Sequence, residues 1–87
     1  MKDNKQKVLR RLNILEGQIK GLRRMVEGGK YCIDIITQTS AVKRGLSSVE
    51  DVLLEGHLGH CVVNQIKKGE TSKATKEILK VYQLKRK

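Results

Sequence analysis

Val8, Leu12, Leu15, Ile19, Leu22 and Val26 recur at alternating steps of four and three, the a/d seam of a packed helix. The same rhythm returns in Ile35, Thr39, Val42, Leu46, Val49 and Leu53. Two such seams in a chain without proline, rich in Lys, Glu, Leu, Ile and Val, favour an all-α fold. The spacing predicts a first helix from about Lys5 to Glu27, stopped by Gly28-Gly29 as glycine stops helices. A second long helix is predicted from near Lys30 through at least Cys61 and as far as Ile66, closed by Lys67-Lys68-Gly69-Glu70. Gly56 and Gly59 interrupt its propensity, so a local kink is expected there. Thr71 or Ser72 can cap a third, shorter helix whose apolar face is Ile78, Leu79 and Tyr82, with Lys85-Arg86-Lys87 as a frayed tail. No repeat, linker or low-complexity segment divides the sequence, so residues 1–87 read as a single domain.

Small domains bury a low fraction of their surface. Of these 87 residues 38% are apolar and two, Tyr31 and Tyr82, are aromatic, which makes a thin core for a monomer and points to oligomerisation. The formal charge is +10, from 19 Lys and Arg against 9 Asp and Glu, so an oligomer would carry a positive field that attracts polyanions, nucleic acid first. A Lys-rich surface serving only solubility is the plainer reading. The N-terminal stretch lacks the apolar core of a signal peptide and no run reaches membrane-spanning length, so the expected location is the cytoplasm, without a membrane partner. In that compartment two cysteines bind metal or sense redox state more often than they form a structural disulfide.

The chemistry gathers in Leu53-Leu54-Glu55-Gly56-His57-Leu58-Gly59-His60-Cys61-Val62-Val63. On a helix His57 and Cys61, four residues apart, share one face. Cys32 lies about 25 positions before His57, roughly 37 Å along one continuous helix, so it cannot join its own helix's pair. Either the chain folds back, or a second copy runs antiparallel and lays its Cys32 beside His57 and Cys61. The antiparallel pair would cross near Gly45, between Ala41 and Ser48, where small residues permit close approach. Such an isologous dimer carries two equal sites. Two thiolates and an imidazole suit three-coordinate Cu(I), whereas zinc usually wants a fourth ligand, which His60, offset from the His57–Cys61 line, would have to supply. The bland alternative makes the cysteines small buried hydrophobes and His57 a satisfied polar residue.

Arg10, Asn13, Gly17, Lys20 and Arg24 fall opposite the Leu12/Leu15/Ile19 side of helix one, with Arg11 at the flank, and Lys43 and Arg44 lie mid-way along helix two. Gly17 and Gly21 each cost up to about 1 kcal/mol relative to Ala in a helix, which fits close packing or ligand approach on that side, or simple tolerance. There is no helix-turn-helix signature and no aromatic platform, so contact with duplex phosphates and groove shape is favoured over base readers.

Arg10-Arg11-Leu12, Glu16-Gly17-Gln18-Ile19-Lys20-Gly21-Leu22, Arg24-Met25-Val26-Glu27, Tyr31-Cys32-Ile33-Asp34-Ile35 and His57-Leu58-Gly59-His60-Cys61 together resemble the copper-sensing operon repressor family, all-helical bacterial regulators. The resemblance covers nearly the whole chain. Its copper branch carries a Cys, a His and a second Cys in this order and spacing, matched by Cys32, His57 and Cys61. A Tyr before the first Cys and a Glu in the third helix are matched by Tyr31 and Glu77, which would hold His57 through its other ring nitrogen. Arg11 matches an arginine the family uses on DNA, and Lys43 and Arg44 occupy a more variable basic region. Nickel and cobalt sensors replace the last Cys with His and add N-terminal donors absent here. Formaldehyde sensors lack the last Cys, and persulfide sensors lack the intervening His.

What the resemblance implies is a three-helix protomer, a dimer with an antiparallel four-helix core, and a dimer of dimers. The implied function is a repressor that binds double-stranded operator DNA when metal-free and is released by Cu(I). The alternatives are a thiol or persulfide sensor that links Cys32 to Cys61 between protomers, a sequence-indifferent basic DNA-binding protein, and a metal chaperone. No nucleophile arrangement or phosphate loop suggests an enzyme.

Overall fold

The computed structural model describes residues 2–86. Helix α1 spans Lys2–Glu27, α2 spans Cys32–Gly56, a π-helical turn covers His57–Val62, α3 covers Val63–Lys67 and α4 spans Thr71–Arg86. No strand occurs among the described residues. The second expected helix is therefore one helical run from Cys32 to Lys67, and where Gly56 and Gly59 weaken the α pattern it takes a widened π turn.

Glycine sets both breaks. At the end of α1, Gly29 adopts φ +66°, its N–H donates to the carbonyl of Val26 (3.1 Å), and that of Lys30 donates to Met25 (3.0 Å). These paired bonds are a Schellman motif, which needs a left-handed residue. Gly69 repeats it with φ +81° and bonds from Gly69 to Ile66 (3.0 Å) and from Glu70 to Gln65 (2.7 Å). Beyond each motif a carbonyl starts the next helix. Tyr31 accepts from Asp34 and Ile35, and Glu70 accepts from Ala74, so Glu70 takes the starting position expected of Thr71 or Ser72. The tail is helical to Arg86, whose guanidinium lies 5.6 Å from the Tyr82 ring centroid. Lys87 lies outside the described residues.

The chain divides into two compact units, Met1–Leu54 and Glu55–Lys87. In the first, α1 and α2 form an antiparallel hairpin. The Asn4 amide donates to the carbonyl of Val52 (3.1 Å), and Arg11 donates to the carbonyl (3.5 Å) and hydroxyl of Ser48. A Cβ at Gly45 would come within 2.5 Å of Leu15. The small residue at 45, expected to serve an intermolecular crossing, thus admits Leu15 of its own chain. Val8, Leu15, Val42, Val49 and Val52 form the core, flanked by Leu22 and Leu53.

Only half of the α1 seam is used this way. Val8, Leu15 and Leu22 face α2, while the intervening Leu12, Ile19 and Val26 stay 40%, 52% and 63% exposed, as does Leu46 of α2 at 45%. No described side chain is fully buried.

In the second unit α4 packs back on α3, and the buried residues are Val62 and Ala74. Ile78, Leu79 and Tyr82, the apolar face expected of the last helix, are all exposed. The short α3 offers too little surface to cover them.

Candidate functional site

The π turn carries the chemistry: its six residues are His57-Leu58-Gly59-His60-Cys61-Val62. A turn closed by i→i+5 bonds is wider than an α turn, and such turns recur at functional sites. Val62, buried, anchors it, Cys61 and His57 are half-buried, and His60 is exposed. Both cysteines are free thiols, Cys32 exposed and Cys61 partly so.

From α4 the carboxylate of Glu77 faces the imidazole of His57, with Oε1 3.9 Å from Nε2. Gln65 on α3 donates from its Nε2 to the same Oε1 at 2.8 Å. Nε2 of His57 is therefore the ring nitrogen that faces this carboxylate. Glu77 was matched to this place through the family resemblance; Gln65 was not, because the α-helical period puts it on a different face from His57.

Cys32 is the first residue of α2. That helix has 25 residues, an axis of roughly 37 Å at about 1.5 Å per residue, with His57 directly after its far end. Tyr31, at the start of α2, is 67% exposed. Among the described residues no group of three His, Cys, Asp or Glu side chains could hold a metal ion.

The basic residues lie on the hairpin. Arg10, Arg24, Lys43 and Arg44 are exposed. Lys20 pairs with Glu16 at 3.8 Å, both well exposed, an i,i+4 pair worth little in water. Arg11 is half-buried and bonded to Ser48, so one of the expected DNA contacts is engaged within the protomer. A Cβ at Gly17 or Gly21 would meet nothing within 4 Å, so packing inside the chain does not require either glycine.

The model of the metal-sensitive transcriptional repressor family matches residues 4–83. The chain belongs to this family. Among relatives of this repressor, the copper-sensing transcriptional repressor CsoR of Bacillus subtilis is 42% identical over 78 residues, which cover 90% of this chain and 77% of that protein. The copper-sensing transcriptional repressor RicR of Mycobacterium tuberculosis is 52% identical over 68 residues, covering 78% and 68%. In structure the repressor is similar to the copper-sensing repressor CsoR with Cu(I) from Geobacillus thermodenitrificans NG80-2, with a TM-score of 0.89, 37% identity, and coverage of 100% of this chain and 91% of that one. No described helix is long and apolar enough to cross a membrane.

Proposed function

We propose that this repressor responds to copper(I): metal-free it binds double-stranded operator DNA, and Cu(I) held by Cys32 of one protomer with His57 and Cys61 of the partner subunit releases it. The observation that carries the reading is the donor set, two free thiols and an imidazole whose Nε2 faces Glu77; metal binding through Nδ1 is part of the reading. Soft thiolates with one imidazole suit Cu(I), which needs no fourth protein ligand. The names of the relatives support the same metal.

The partner enters for two reasons. Cys32 is the first residue of α2 and His57 follows its last, and the uncovered Leu12, Ile19, Val26 and Leu46 give the hairpin an apolar face to bury. A homodimer with an antiparallel four-helix core, or a dimer of such dimers, satisfies both. The whole chain then acts in the cytoplasm as one metal-sensing and DNA-binding domain, not as an enzyme. Exposed Arg10, Arg24, Lys43 and Arg44, with Lys20 and Arg11, supply the phosphate-facing charge.

When bound, Cu(I) supplies a bond between the start of one α2 and the π turn of another. The chain's part is to make that bond felt elsewhere: Glu77 ties His57 to α4, and Tyr31, next to Cys32, stands at the other pole of the site. Release follows only from differential affinity for the two DNA-binding states, typically about 1–3 kcal/mol of coupling. Anaerobic Cu(I) titration of the reduced protein on a labelled fragment of its own upstream DNA tests this. Release near one Cu(I) per protomer is expected. DNA still held at copper saturation contradicts the reading and points to a thiol-reactive inducer.

A further inference from the structure

Gln65 was singled out by no motif, yet it touches the group that faces His57. An α-helix turns about 100° per residue, so a residue eight positions after His57 would sit about 80° around the helix from it. The π turn between them absorbs one extra residue, and the eight steps then count as about seven, leaving Gln65 roughly 20° from the His57 direction. The π turn thus aligns His57 and Gln65 toward α4, where both meet one atom: Glu77 Oε1 accepts from Gln65 Nε2 at 2.8 Å and lies 3.9 Å from His57 Nε2.

The orientation of the amide is forced. Its Oε1 is buried with no hydrogen-bond partner, an arrangement that buried polar atoms avoid. Turning the amide over would set that oxygen against the carboxylate, so donation to Glu77 wins.

We propose that Gln65 is a positioning residue for the metal site of the preceding section, on whose copper reading the proposal rests. By fixing the Glu77 carboxylate against Nε2 of His57, it keeps the ring proton on Nε2 and the Nδ1 lone pair free for the metal, and it couples the ligand-bearing helical run to α4. Second partners of metal-ligating histidines orient the ring in this way; here the partner is itself held by a third residue, which the π turn brings into register.

The test uses the full-length protein in two states. In the metal-free wild type, two-dimensional long-range 1H–15N NMR should show neutral His57 as a single Nε2–H tautomer and slowly exchanging Gln65 side-chain amide protons. Gln65→Met keeps the volume and removes the donor. It should give a tautomer mixture and an about tenfold smaller copper-induced loss of DNA affinity, within the range of typical couplings. Gln65→Glu, which sets two carboxylates together, should do the same or more and serves if the Met variant does not fold. An unchanged tautomer and an unchanged copper effect in these variants, or Gln65 amide protons that exchange at the bulk rate in the wild type, overturn the proposal. A wild type that copper does not release from DNA overturns the functional reading instead. The metal-free tautomer then still decides the role of Gln65.

Discussion

The hairpin of residues up to Leu54 and the unit from Glu55 onward are built on different principles. The hairpin is a repeating object: one heptad rhythm on each helix, five valines and leucines in the core, and Gly45 where Leu15 needs room. Its chemistry is confined to Cys32 at one end and a spread of exposed cations. The second unit has little core beyond Val62 and Ala74, breaks the α period with a π turn, and places a thiol, an imidazole, a carboxylate and an amide on three short stretches. Regular packing specifies a scaffold and leaves an apolar face uncovered, whereas irregular backbone places individual atoms.

Substitutions can break that division, beginning where the effect is largest. Cys61→Ser removes a thiolate from the second unit. Cu(I) affinity should fall by more than about 100-fold, beyond the 10–100-fold typical of losing an outer partner, while thermal unfolding of the metal-free protein changes little. A large drop in melting temperature would mean that Cys61 is a core residue. Leu15→Ala, in the hairpin core, should cost about 2–3 kcal/mol by denaturant unfolding, at the low end for buried leucine because the site is thinly packed. Leu12→Ala, one step along the seam, sharpens the contrast: its cost should depend on protein concentration, since a partner is what would cover it. Equal, concentration-independent costs at 12 and 15 would contradict the half-used seam.

Smaller effects follow at the glycines. Gly69→Ala forces a side chain into φ +81° and should destabilise by about 1 kcal/mol. Gly17→Ala, with open space around it, should stabilise α1 by about 0.5–1 kcal/mol. Stabilisation accompanied by weaker DNA binding would identify that face as one the duplex approaches.

Most of the scaffold was legible in the sequence because it is periodic. The seams gave both long helices, and the double glycine and Gly69 gave their ends, since a Schellman motif requires a residue free of a Cβ. The uncovered half of the seam was not legible as such, because a heptad does not say whether its partner is the same chain or another. Gly45 shows the same limit: a small residue marks a close approach without naming what approaches, and within the chain it is Leu15 that does. The residue types at Cys32, in the hairpin, and at His57 and Cys61, in the second unit, pointed to soft-metal chemistry, and the family resemblance supplied Glu77. Gln65 stayed hidden because α-helical counting is off by one residue across the π turn. Arg11 was matched only to a DNA-contacting arginine, since nothing in the pattern reveals the Ser48 hydroxyl opposite it.

The central claim is that the metal site is completed by a second copy, and mixed oligomers test it most directly. Cys32→Ser and Cys61→Ser proteins should each lack tight Cu(I) binding alone. Co-expressed, they form mixed dimers in which an unaltered Cys32 of one chain meets an unaltered Cys61 of the other. The account predicts that tight Cu(I) binding and copper-driven DNA release return, at one site per mixed dimer. Failure of mixed dimers to bind Cu(I), with either parent protein as inert as the mixture, would contradict a site shared between protomers.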